Sequence, residues 1–310
     1  MTWEFVGFWS MPAGRARWMM SHAQLPTPLP LGAGRVRVFF GARTAAQRSH
    51  IGYVELTITA NGVREEHCPI EPVMSPGPDG HFDQHGVYPS CIVPWQTGYR
   101  MYYVGWTQGA EPPMFDAAIG LAESADGRAF ARVSPAPLLA RSVHDPCLVT
   151  SPHVYRDGER WRMTYVSGVR WSRDARGGLQ SHYHIKAADS ADGITWQRRG
   201  QVAIDFADGE TNIARSAVWR AGPAEYHMWF GYVQATVGMY RLGYAHSRDG
   251  ERWVRRDDLA GITLDDRHAT TMQCYPAVFE LDGEVYLLWN GDGNGRAGFG
   301  VSRLRRHRRE

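Results

Sequence analysis

Apolar and polar residues alternate with period two along most of the chain, and no stretch repeats apolar positions at three- and four-residue spacing. Such alternation lays one face of an extended segment against a core, so it predicts short β-strands and no helices. Five of the predicted strands share a proline or serine inside a short apolar run: AQLPTPL, GVYPSCIV, VTSPHVY, IARSAVW and QCYPAVF. Their anchors, Pro26, Pro89, Pro152, Ser216 and Pro276, recur at intervals of 63, 63, 64 and 60 residues. Each is followed by a second strand (RVRVFFGAR, YRMYYVGW, RWRMTYVSG, EYHMWFGYV, EVYLLWNGD) and a third (HIGYVEL, AIGLAES, YHIKAADS, RLGYAHS, GFGVSRL). Asp157-Gly158 and Asp282-Gly283 are hairpin signals between first and second strands. The motifs ADGRAF, ADGITW and RDGERW open a fourth strand at Phe130, Trp196 and Trp253.

A repeat of about 60 residues with four strands each predicts an all-β chain, a five-bladed β-propeller of four-stranded antiparallel blades forming a single domain over residues 1–310. The last unit stops after its third strand. The N-terminal WEFVGFW is therefore expected to supply the outer strand and close the ring. PTPLPLGAG and SPGPDGHFD read as loops between strands rather than linkers.

Composition agrees and narrows the function classes. Aromatics reach 12%, with 34 glycines and 18 prolines, which suits strands joined by turns. A net charge of +2 argues against nucleic acid or a membrane surface as partner. Lys186 is the only lysine, a bias that we read as a GC-rich, bacterial genome. The basic tail RLRRHRRE (303–310) is expected to be a solvated terminus. Cys68, Cys91, Cys147 and Cys274 lack metal-type spacing and read as free thiols in the core. No signal peptide and no long apolar run are evident, so the expectation is a cytoplasmic protein. The glycine-rich GDGNGRAG precedes a strand, which argues against a phosphate-cradling loop.

The segments SHAQ (Ser21 to Gln24), FDQHGVYPS (Phe82 to Ser90), IGLAES (Ile119 to Ser124), CYP (Cys274 to Pro276) and the NG…GFG ending carry a family likeness. With the aromatic second strands and DGxxW turns, the chain resembles the five-bladed propellers of glycoside hydrolase families 43 and 32, and more closely their uncharacterised bacterial relatives. The resemblance implies a glycan or sugar-like substrate and three carboxylates at the starts of the first three inner strands. Two of these directly precede the anchor proline and one lies two residues before it. Those positions hold Leu25, Tyr88 and Thr150 here, and none is acidic. The two carboxyl groups that ordinary glycoside hydrolysis requires are missing at these places.

Other polar residues recur at matched distances from the anchors, which predicts a common height around the axis. His22 and His85 lie four residues before theirs, Asp83 and Glu210 six, and His144 and His268 eight. Asp83, His85, Glu210 and His268 are the candidate acid–base residues. Gln24, Tyr88, His153, Arg215 and Tyr275 are candidate substrate contacts, and Glu210 with Arg215 forms a possible acid–Arg pair. Imidazoles converging on one axis could hold a divalent metal, with His22, His85 and His268 as the trio and His144 or His153 as substitutes. The HYH segment at His182 to His184 is expected away from the axis. Two function classes follow: a glycosidase-like enzyme (hydrolase or lyase, or a metal-dependent catalyst of secondary metabolism) with non-standard acid–base residues, or a non-catalytic carbohydrate-binding scaffold.

Overall fold

A computed structural model describes residues 1–174, 177–265 and 267–305, and its secondary structure is almost entirely β. Strand β1 (Thr2–Ser10) stands at the N-terminus. A first antiparallel meander follows: β2 (Ser21–Gly32), β3 (Arg35–Arg43), β4 (Ser49–Thr59) and β5 (Gly62–His67). The second is β6 (Gly86–Trp95), β7 (Gly98–Gln108), β8 (Phe115–Ser124) and β9 (Ala131–Arg132). The third is β10 (Leu148–Asp157), β11 (Arg160–Arg173), β12 (Leu179–Ser190) and β13 (Trp196–Gln197), with β14 (Val202–Ile204) also on β12. The fourth is β15 (Glu210–Gly222), β16 (Glu225–Gln234), β17 (Tyr240–Ser247) and β18 (Val254–Arg255). The fifth is β19 (Cys274–Leu281), β20 (Glu284–Asn290) and β21 (Gly298–Arg305). As the pattern predicts, β1 adds antiparallel to β21, pairing Thr2 with Arg305 through to Ser10 with Gly298.

The first strands of the meanders lie side by side in order: β2 beside β6, β6 beside β10, β10 beside β15, β15 beside β19, and β19 beside β2 again. Apolar clusters fill the space between successive meanders. Phe39 packs with Met101 and Tyr103 of the second meander, whereas its neighbour Phe40 packs with Leu288 and Phe299 of the fifth. Tyr103 and Tyr102 split in the same way between the first and third meanders. Strand geometry sends consecutive side chains to opposite faces, so a strand covered on both sides must be apolar throughout. This is why the second strands read as unbroken runs such as VFF and MYYV.

The Ser-x-Asp-Gly turns join meanders to one another. Ser124, Ser190 and Ser247 each donate to the Asp two residues on and accept from the following Gly N–H. Each Asp then caps two further backbone N–H groups, at 128 and 129, 194 and 195, and 251 and 252. The preceding meander grips these turns through a second-strand arginine. Arg37 donates to Gly127 O at 2.6 Å, Arg100 to Asp192 O at 2.9 Å, and Arg162 to Glu251 at 3.0 Å.

Two local expectations change. Residues 26–32 of PTPLPLGAG belong to β2 rather than a loop, because prolines at a bulged strand next to an irregular ladder cost few hydrogen bonds. The first predicted hairpin turn is centred one residue later, on Gly158-Glu159. Cys68, Cys91 and Cys274 are buried and free, and Cys147 is free and half-buried. Arg303 and Arg305 pair with Glu4, and the rest of the basic tail lies outside the described residues. No helix among the described residues is long and apolar enough to cross a membrane.

Candidate functional site

Every first strand breaks its ladder at its anchor. The pairing registers shift between Gln24 and Thr27, Pro89 and Cys91, Thr150 and His153, Ala214 and Ser216, and Cys274 and Ala277. Such bulges re-aim side chains, and proline is accommodated there because the ladder needs no donor from it. At four anchors the preceding residue has left-handed backbone: Leu25 (φ 53°), Ser151 (49°), Arg215 (21°) and Tyr275 (53°). Non-glycine residues hold this conformation at a cost of order 1–3 kcal/mol and cluster at functional sites. In β2 the bulge is fixed by Asn290, whose Oδ1 accepts from Leu25 N (3.0 Å) and whose Nδ2 donates to Ala23 O (2.9 Å).

The bulges open onto one cavity of about 960 Å³, to which all five first strands contribute: Gln24, Leu25, Tyr88, Thr150, Ser151, Ala214 and Tyr275. One wall is apolar, built from Trp106, Pro112, Pro113, Met114 and Phe115. The rest of the lining is largely polar. Arg43, at the end of β3, donates through Nε (3.0 Å) and Nη2 (2.7 Å) to Gln24 Oε1, and through Nε to the Tyr88 hydroxyl (3.1 Å). Arg48 and Gln47 form the rim, and His85 faces in with its Nδ1 accepting from Gln108 N at 3.1 Å. The Tyr183 hydroxyl meets that of Tyr240, whose ring neighbours Tyr275. Burial raises the phenols of Tyr183, Tyr240 and Tyr275 above their ordinary range, keeping them protonated donors.

Leu25, Tyr88 and Thr150, the positions where the resemblance implies carboxylates, all line this cavity. No aspartate or glutamate is among the described residues lining it, so its charged lining is basic. Arg215 lies beyond Ala214 and is 2% exposed. Its Nη2 donates to Thr27 Oγ1 (2.9 Å) and Ser90 O (3.0 Å), while Nη1 is buried without a partner. Burial pushes its guanidinium down to about 10.

Several expected site residues sit elsewhere. Asp83 is fully buried and salt-bridged to Arg132 (2.8 Å), with the Tyr103 hydroxyl donating to the same oxygen. Glu210 pairs with Arg255 through two bonds of 2.8 and 2.6 Å, not with Arg215. Asp145 repeats the arrangement, accepting from Arg198 (2.9 Å), Ser167 (2.7 Å) and Ser142 (2.8 Å), with Lys186 3.6 Å away. Burial works against its charge, but those hydrogen bonds and cations prevail and hold its carboxyl below the usual range. The three arginines each lie six residues after a turn aspartate, Asp126, Asp192 or Asp249. That spacing is the sequence signal that each of these acids has its partner in its own meander.

The histidines do not converge. His22 bonds Ser21 Oγ, and burial with nearby Arg43 and Arg296 pushes it down to about 4. His268 stacks on Phe8 of the outer strand β1 at 3.9 Å. His153 bonds Val218 O (3.1 Å), and burial beside Arg215 pushes it down to about 4. His144 is exposed. Among the described residues no group of three or more His, Cys, Asp or Glu side chains could hold a metal ion. Within HYH, His182 and His184 face Ser172 and Asp205, but Tyr183 between them reaches the cavity, since strand neighbours point oppositely.

No protein-family model matches the chain. Among solved structures, a thermostable family-43 glycoside hydrolase superposes with a TM-score of 0.66 at 14% identity, covering 97% of this chain and 94% of its own. The Bombyx mori GH32 β-fructofuranosidase BmSUC1 gives 0.63 at 16% identity, covering 92% and 62%. Both likenesses concern the fold. The uncharacterised protein Rv1502 of Mycobacterium tuberculosis is 33% identical over 305 residues, 98% of this chain and 99% of that protein. Over essentially its whole length, then, the chain belongs to the family of that uncharacterised mycobacterial protein, built on the fold of glycoside hydrolase families 43 and 32.

Proposed function

We propose that the five meanders are the blades of one five-bladed propeller closed by β1, and that the cavity at their first strands acts on a glycan or sugar-like ligand by a route other than paired carboxylates. The observation that carries this is the replacement of all three implied carboxylates, by Leu25, Tyr88 and Thr150, in a cavity of about 960 Å³ with a mixed lining. One apolar wall with Trp106 and one wall of hydrogen-bonding groups suit a sugar ring, which offers an apolar face and a hydroxylated edge. His85 is the imidazole lining the cavity, and imidazole is the side chain suited to proton transfer near neutral pH. Asp83 and Glu210, held in ion pairs outside it, take no part in this reading.

A second reading, a binding propeller without turnover, is favoured by the same missing carboxylates. Arylglycoside turnover together with glycan binding separates the two. The enzyme reading expects turnover that falls at least about 100-fold in His85→Ala, the usual scale for a lost general acid or base. Saturable binding without turnover on any glycoside would overturn it in favour of the second.

A further inference from the structure

The charge of the cavity bears on what it binds. Arg43 has only neutral partners: Gln24 Oε1, the Tyr88 hydroxyl and, at 3.4 Å, Gln47 Oε1. Arg48 stands exposed on the rim of the same wall, and no described lining residue is acidic. Beneath the floor, Arg215 is the second sign of the same imbalance. It is nearly fully buried, bonded only to Thr27 and Ser90, and has an N–H group with no acceptor. Elsewhere the buried arginines of this chain, Arg37 and Arg100, each reach a glutamate. A cation held without an anion in a partly dehydrated site is costly, and the cost is relieved when a ligand brings the missing charge. Guanidinium groups also recognise oxyanions by geometry, offering parallel donors to two oxygens. The Gln24 and Tyr88 bonds fix the Arg43 plane in advance, which reduces the ordering cost of binding.

We propose that the ligand of this cavity is anionic, a sugar-like molecule bearing a carboxylate or phosphate group, and that Arg43 and Arg48 bind that group while Arg215 adds its charge from below. The inference rests on the sugar-like reading of the same cavity. It places the oxyanion on the polar wall and leaves the ring for Trp106.

Calorimetric titration of the whole protein with matched series (glucose, glucuronate and glucose 6-phosphate, the galactose counterparts, and inorganic phosphate alone) tests it. The expected result is at least about tenfold tighter binding of an acidic sugar than of its neutral counterpart, a difference of about 1.4 kcal/mol. That preference should shrink as sodium chloride screens the charges. The glucuronate and phosphate arms tell which oxyanion fits. Arg43→Gln should abolish the preference. Arg48→Gln, at an exposed position where folding is not at stake, should lower it about threefold or more. Equal affinity for neutral and acidic sugars would overturn the inference while leaving the sugar-like reading intact. Phosphate binding with no sugar dependence would overturn the sugar-like reading and leave of the inference only its oxyanion site, and no binding by any probe would overturn both.

Discussion

Charged groups occur near the first strands in two settings, and the contrast separates architecture from chemistry. In the second, third and fourth meanders a buried acid is locked to an arginine of its own outer segment: Asp83 with Arg132, Asp145 with Arg198, Glu210 with Arg255. In the cavity, Arg43 and Arg48 face neutral side chains, and Arg215 below them has an unpaired N–H. The clamps are closed by direct ion pairs, although Asp83 Oδ1 is buried without a hydrogen-bond partner, so a substrate could engage them only by breaking an ion pair. The cavity cations are preorganised and open. Matched sequence register therefore marks both, but only the bulged anchors, which turn Leu25, Tyr88, Ser151 and Tyr275 inward, mark the place where a ligand can be met.

Removing an acid from a clamp should give the largest effect. Asp145→Ala would remove the wholly buried carboxylate that both Arg198 (2.9 Å) and Lys186 (3.6 Å) face. A buried pair broken on one side typically costs 3–5 kcal/mol, so we expect a loss of about that size in urea unfolding. Glu210→Ala, whose carboxylate is 1% exposed against Arg255, should also destabilise but by less, because Asp257 still pairs with Arg255 at 2.7 Å. If Glu210→Ala kept wild-type stability and lost only turnover, the clamp reading would fail and a catalytic Glu210 would return.

The repeat, the strand order and the outer placement of the N-terminal strand were legible because each follows from alternation and turn chemistry, which are local. The cavity was legible in part. Tyr88, Tyr275, Gln24 and His85 adjoin the anchors and do line it, whereas Asp83, Glu210, His153 and His268 do not. Distance from an anchor fixes height along a strand but not the direction of a side chain, and a bulge reverses that direction without any change of spacing. Arg43 and Tyr183 come from second and third strands, where no anchor register points to the cavity. The expectation that HYH lies away from the axis fails for Tyr183 because its reach into the cavity is a tertiary fact. Asp83 and Glu210 share a register before their anchors yet sit in clamps outside the cavity, each closed by a partner 49 or 45 residues away.

A smaller effect should appear in the pH dependence of stability. His153 is held near 4 by burial and Arg215, against an ordinary value of 6.5. The unfolded chain therefore takes up a proton at higher pH than the folded one. Stability is complete above about pH 6.5 and declines as pH falls towards 4, where both states are protonated. The shift corresponds to roughly 3 kcal/mol at most. His22, depressed to about 4 by burial, Arg43 and Arg296, acts in the same direction. Unfolding curves between pH 7 and 4 should show a flatter decline for His153→Gln than for the wild type. Identical slopes would mean that His153 is hydrated and titrates normally.

The smallest stability change should accompany the most informative substitution in the cavity. Tyr88→Phe removes one hydroxyl, the acceptor of a 3.1 Å bond from Arg43, and leaves the ring in contact with the backbone of Gly41. A single such bond contributes about 0.5–1.5 kcal/mol net, and Arg43 keeps both bonds to Gln24, so the loss should lie at the lower end. Binding is expected to respond more than folding. With one of its tethers gone, the Arg43 guanidinium samples more orientations, and affinity for an acidic ligand should fall severalfold while that for its neutral counterpart changes little. An equal loss for both would assign the Tyr88 hydroxyl to direct contact with the sugar rather than to the setting of Arg43. A stability loss as large as that of Asp145→Ala would erase the distinction between an open wall and a closed clamp.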